Sequence, residues 1–68
     1  MVAGETGAQI AAAVAALPED QRAAVLLAEY EGLPHAAIAA VMKTSVKSVE
    51  LRLYRARKFL RLRLKDLL

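Results

Sequence analysis

Cysteine is absent and histidine occurs once, as His35. The chain therefore has neither a disulfide framework nor a thiolate metal site, and a single imidazole does not hold zinc by itself. Such a composition is compatible with a reducing cytoplasm. Glycine is confined to Gly4, Gly7 and Gly32, too scattered to form a phosphate-cradling loop. No apolar run approaches the roughly 18 uninterrupted residues of a membrane span. Ala11 to Leu17 has the apolar character of a secretory signal, but Glu5 stands where a basic leader belongs, so secretion is not expected. Catalytic groupings are missing as well. Ser45 and Ser48 have no base at useful spacing, Glu29 and Glu31 point in different directions on a helix, and His35 beside Pro34 is expected to be exposed or to pack at a helix start. The expectation is a protein that is not an enzyme and that uses no metal or cofactor.

What is present is one strongly polarised domain, taken as residues 1–68. A chain of 68 residues buries a small fraction of its surface and keeps roughly a few kcal/mol of stability from one core. Its net charge is +3, but the distribution is more telling. Through Glu31 one base, Arg22, faces five acids; from Gly32 onward nine bases face two acids. A basic half steers the molecule toward a polyanion, and an acidic half stays clear of it or meets a basic protein surface.

The pattern predicts four helices and no strand. Thr6 with Gln9 three residues later is a capping-box pattern, placing the start of a first helix near Gly7, with Ile10, Val14 and Leu17 as its larger apolar contacts. Pro18 disfavours helix at Leu17 and fits the opening of a second helix over about Pro18 to Glu31, where Glu19 and Asp20 complement the dipole. Tyr30 is expected to close the core with Leu33 and Ile38. Gly32 supplies a left-handed stop, and Pro34 opens a third helix carrying Ile38, Ala39, Val41 and Met42 inward. Lys43 to Ser45 form a turn, Ser45 caps a fourth helix opening at Val46, and that helix runs to near Leu67.

Residues 34–57 thereby outline a helix-turn-helix with a long C-terminal recognition helix. Along that helix Val49, Leu53, Ala56, Leu60, Leu64 and Leu67 recur every three or four residues, forming a stripe for a core. Lys47, Glu50, Leu51, Tyr54, Arg55 and Lys58 lie opposite, on a face able to meet base edges and phosphates in a major groove. The tail is richer in leucine than a small core requires. Two explanations stand open: the alanine-rich first helix packs beneath it, or Phe59, Leu62 and Leu68 form a surface for a partner helix or for self-association. The alternating arginine and leucine of the tail also fits an edge strand, but continuation of the helix is expected.

Leu17-Pro18, Arg22, Val25-Leu26-Leu27, Glu31-Gly32-Leu33, Ile38-Ala39, Ser45-Val46, Val49 and the block Arg52-Leu53-Tyr54-Arg55-Ala56-Arg57 together resemble region 4 of sigma-70-type RNA polymerase sigma factors, in particular the extracytoplasmic-function group. The resemblance covers about Leu17 to Leu60, and the last block is its most specific part. It implies a bacterial cytoplasmic protein that binds the −35 promoter element in double-stranded DNA through the recognition helix, while the β-flap of the RNA polymerase core grips the other side. An anti-sigma factor is a further implied partner. The positions matching the family's DNA contacts are Lys47, Ser48, Glu50, Leu51, Arg52, Tyr54 and Arg55, with Lys58 farther along the same face. A response-regulator output domain of the LuxR kind shares the glycine-leucine and isoleucine-alanine steps, but not the Arg52 to Arg57 block. A rival of another class is a protein-interaction module that kept the fold and lost strong DNA binding.

Three positions depart from the family. Lys43 stands where glycine is usual, so a left-handed turn there costs about 1 kcal/mol and a remodelled turn is an alternative. Glu50 replaces a common lysine or arginine; its carboxylate accepts from cytosine N4 but is repelled by phosphate. Leu51 replaces a small polar residue and offers only contact with a thymine methyl. Nothing ahead of the motif resembles the promoter-melting region 2, so the expectation is an excised domain or small stand-alone relative that does not start transcription alone.

Overall fold

A proline between two apolar runs, a glycine before a second proline, and a serine ahead of a basic run divide the chain into its elements. The computed structural model describes residues 2–65, with side chains from Gly7 to Lys65. Its helices are α1 (Val2–Ala15), α2 (Glu19–Val25, continued by a π-helical turn Leu26–Tyr30), α3 (His35–Met42) and α4 (Val46–Arg63). No strand occurs among the described residues. The all-α four-helix reading holds, and Arg61 to Arg63 continue a helix instead of forming an edge strand.

Helix α1 begins earlier than the capping pattern implied. It is already helical at Val2, so Thr6 lies inside it and not at its N-cap. No proline precedes Thr6 to force the non-helical backbone that a cap requires. The other end is closed from outside. Leu17 leaves the helix before Pro18, and Arg22 Nη1 donates to the carbonyls of Ala15 and Leu17, both at 3.2 Å. A cation thus satisfies acceptors that a helix C-terminus leaves open.

Both prolines stand one place earlier than expected, as the residues before their helices. Pro18 (ψ 150°) and Pro34 (ψ 160°) have extended backbone, and the Pro34 carbonyl accepts from the N–H groups of Ala37 and Ile38 at 3.0 Å each. Gly32 takes the left-handed conformation, with φ +66°. The second helix is not uniform. After Val25 its turn widens, and Glu31 N–H donates to Leu26 C=O at 3.2 Å, five residues back. The wider turn shifts the residues that follow it out of the 3.6-residue register of α2. Tyr30 is 77% exposed and does not close the core.

The core consists of Leu17, then Ala24 and Val25 from α2, Ile38 and Ala39 from α3, and Val49, Leu53 and Ala56 from α4. Leu33, Met42 and Leu60 pack against it from partly buried positions. Val41, expected inward, is 60% exposed. An eight-residue helix buries one stripe, here Ile38, Ala39 and Met42, and Val41 falls on its far flank. Helix α1 packs against α4, with Val14 and Leu17 against the core. Phe59 is likewise half-buried against the core, while Leu62 is 64% exposed. Helix α4 ends at Arg63, short of Leu67, and the Leu64 N–H closes on the Leu60 carbonyl at 2.8 Å. Arg61, Leu62 and Arg63 are all exposed, and a helical turn without buried contacts contributes little by itself. Leu67 and Leu68 lie outside the described residues.

Leu53 is almost fully buried at the centre of this core. Leu53→Ala is expected to cost about 2–5 kcal/mol, comparable with the whole stability of so small a domain. Far-UV circular dichroism should show lost or noncooperative melting, whereas the same change at exposed Leu62 should leave the melt nearly unmoved.

Candidate nucleic-acid interface

The turn between α3 and α4 is set by two backbone bonds and one strained residue. Lys43 adopts the left-handed conformation (φ 56°, ψ 49°). Its N–H donates to Ala40 C=O at 3.3 Å, and the Thr44 N–H reaches back to Ala39 C=O at 2.9 Å. That is the Schellman arrangement, which satisfies the last carbonyls of α3. The turn is therefore retained without glycine, the two bonds offsetting the strain of a side chain at positive φ. Ser45 follows in extended conformation (φ −85°, ψ 159°), and its Oγ accepts from the Ser48 N–H at 3.0 Å. Helix α4 thus starts at a defined residue and in a defined direction.

Burial of Val49, Leu53 and Ala56 turns the opposite side of α4 outward. Lys47, Glu50, Leu51, Tyr54, Arg55 and Lys58 are all exposed, and Ser48 is half-buried beside the cap. Lys47 to Lys58 span about 16 Å of helix axis at 1.5 Å per residue, a length suited to lying along a groove. Three cations on this face stand free of acids. Among the described residues no carboxylate lies within 4.0 Å of Lys47, Arg55 or Lys58.

Of the other charges on α4, Glu50, Arg52, Arg57 and Arg63 are engaged, while exposed Arg61 also has no carboxylate within 4.0 Å among the described residues. Arg57 Nη2 lies 3.4 Å from Glu29 Oε2 on the π-helical turn. Glu50 Oε2 lies 4.0 Å from His35 Nδ1 at the start of α3, so the family's basic position is occupied by an acid held near an imidazole. Arg63 sits over the Phe59 ring, 5.4 Å from its centroid. Arg52 is directed away from the free cations: its Nε is 3.5 Å from Asp20 Oδ2, and its Nη1 donates to Met42 Sδ at 3.9 Å. Asp20, Glu29, His35 and Met42 were not among the residues singled out for the site. The pairs 20 with 52 and 29 with 57 are too far apart in sequence for any local spacing rule to join them. Among the described residues no cluster of side chains suits a metal ion, and no helix is long and apolar enough to cross a membrane.

A short helix, a left-handed turn and a capped second helix with an exposed basic face define a helix-turn-helix domain of the DNA-binding class. The family model for sigma-70, region 4, matches residues 7–60, and the chain belongs to that family, which serves transcription initiation. The match reaches ten residues further toward the N-terminus than the motifs beginning at Leu17, and so takes in most of α1. The chain is also similar to the RNA polymerase sigma-H factor of Pseudomonas aeruginosa, with 42% identity over 57 residues. That alignment covers 84% of this chain and 30% of the relative, so the chain spans under a third of that protein's length.

Two substitutions separate the devices that aim α4. Ser45→Ala removes the acceptor of the Ser48 N–H and should cost about 1 kcal/mol in urea unfolding. Lys43→Gly relieves the left-handed strain and should gain about 0.5–1 kcal/mol in the same measurement, the added freedom of the unfolded chain limiting the benefit.

Proposed function

We propose that this domain binds promoter DNA at the −35 element through the outer face of α4 and docks on the RNA polymerase core, at the β-flap, through another side. The role is one of binding, with no catalysis of its own, in a bacterial cytoplasm. The observation that carries this is the row of cations with no acidic partner among the described residues, Lys47, Arg55 and Lys58, on a helix whose opposite side is locked into the core. Free cations release condensed counterions from DNA on contact, whereas cations already paired within the protein must first give up a partner. Lys47 and Ser48, in the first turn of α4, suit a phosphate, as do Arg55 and Lys58 farther along. Glu50 suits cytosine N4, Leu51 a thymine methyl, and Tyr54 a sugar or phosphate at the groove edge.

A second function is favoured by one observation, the exposure of Leu62 on the same side as Leu51. A protein-interaction module using these leucines would bind an anti-sigma factor, a polymerase subunit or a second copy without needing DNA. Sedimentation at two concentrations tests self-association, and a strict monomer removes it.

Duplexes enriched from a random-sequence pool and scrambled controls of equal composition test the DNA function. Affinity for the enriched duplex should fall with salt by a slope of about 0.9 per phosphate contacted, and Arg55→Gln should reduce that slope by about 1. No enrichment, or a flat response to salt, would point to the interaction module.

A further inference from the structure

Arg52 belongs to the basic row in sequence but not in space. Among the described residues Lys47, Arg55 and Lys58 have no acidic partner, whereas the Arg52 side chain is 25% exposed and reaches Asp20 at the start of α2 and Met42 at the end of α3. On the α4 wheel it lies next to the stripe of Val49, Leu53 and Ala56, which accounts for its low exposure. The geometry points to Arg52 as a positioning residue that fixes the angle at which α4 leaves the scaffold and that contacts no phosphate itself. The inference rests on the DNA function proposed above. It concerns which of the matching arginines touch the ligand.

A guanidinium suits this task because its N–H groups diverge in one rigid plane, so one side chain serves a carboxylate and a sulfur on two different helices. The contact matters through leverage. Lys58 lies about 9 Å along the axis from Arg52, and a tilt of about 10° there displaces it by roughly 1.5 Å. Hydrogen bonds to phosphate do not survive that displacement at full strength.

Asp20 makes the inference testable by sign. As a free acid on a DNA-binding domain, it opposes binding, and Asp20→Asn should tighten the complex. As the partner of Arg52, it holds α4, and Asp20→Asn should weaken the complex. The experiment compares the full chain with its Asp20→Asn, Arg52→Gln, Arg52→Lys, double Asp20→Asn with Arg52→Gln, and Asp20→Asn with Arg52→Lys variants. Each is titrated with the enriched duplex across a salt series, at a temperature where circular dichroism shows every variant folded. Asp20→Asn and Arg52→Gln should each weaken binding by about threefold or more, and the double variant should be no weaker than Arg52→Gln alone. The salt slope should stay at the wild-type value for Arg52→Gln while Arg55→Gln lowers it by about 1. Arg52→Lys should recover part of the lost affinity with Asp20 present and none in the Asp20→Asn background. Tighter binding by Asp20→Asn, or a slope lowered by about one contact in Arg52→Gln, overturns the positioning role while leaving the DNA function intact. A wild-type chain that ignores duplex at low salt overturns both.

Discussion

The stripe of Val49, Leu53 and Ala56 against Ile38 and the α2 core is the contact on which the rest of the structure depends. Its burial sets the rotation of α4 about its own axis, because in a helix of 3.6 residues per turn one buried face dictates what every other residue faces. Lys47, Tyr54, Arg55 and Lys58 are outside because these three residues are inside. The same stripe gathers α1, α2 and α3 onto one partner.

Rotation alone does not aim a helix; its axis must also be fixed, and polar groups around the core supply this. The Schellman turn at Lys43 and the Ser45 cap define where α4 begins. Arg22 closes the end of α1, Arg57 meets Glu29, and Arg52 meets Asp20. Exposed pairs of this kind add little to global stability, typically under about 1 kcal/mol each. The effect of the Arg52–Asp20 and Arg57–Glu29 pairs is directional: they join the acidic N-terminal half of the chain to the basic C-terminal half, while among the described residues Lys47, Arg55, Lys58 and Arg61 have no carboxylate within 4.0 Å. The charge imbalance between the two halves thus serves both internal cohesion and an outward-facing cationic surface.

Much of this was legible in the residues. Pro18, Gly32, Pro34 and Ser45 are local signals whose chemistry acts within a few bonds of the backbone, and each marks a boundary within a residue or so of where it falls. The apolar spacing of α4 identified its buried side, and the exposed side follows by geometry. Other expectations failed where a neighbour decided the outcome. Tyr30 is turned to solvent on a π-helical turn that no periodicity signals, and Val41 is exposed because it lies on the flank of α3 away from the stripe of Ile38, Ala39 and Met42. The Thr6 pattern is not a cap because helix continues on its N-terminal side. Within the motif, the Arg52 to Arg57 block reads as three like cations, yet the fold engages Arg52 and Arg57, while Arg55 has no acidic partner among the described residues.

The sequence by itself determined the helical class, the break points and the side of the long helix that faces inward, because these follow from backbone chemistry and a fixed helical period. Only the tertiary structure decided which cations remain available and which tie one helix to another. That choice depends on side chains tens of residues apart, Asp20 beside Arg52 and Glu29 beside Arg57, and distances of that kind exist only once the helices have packed.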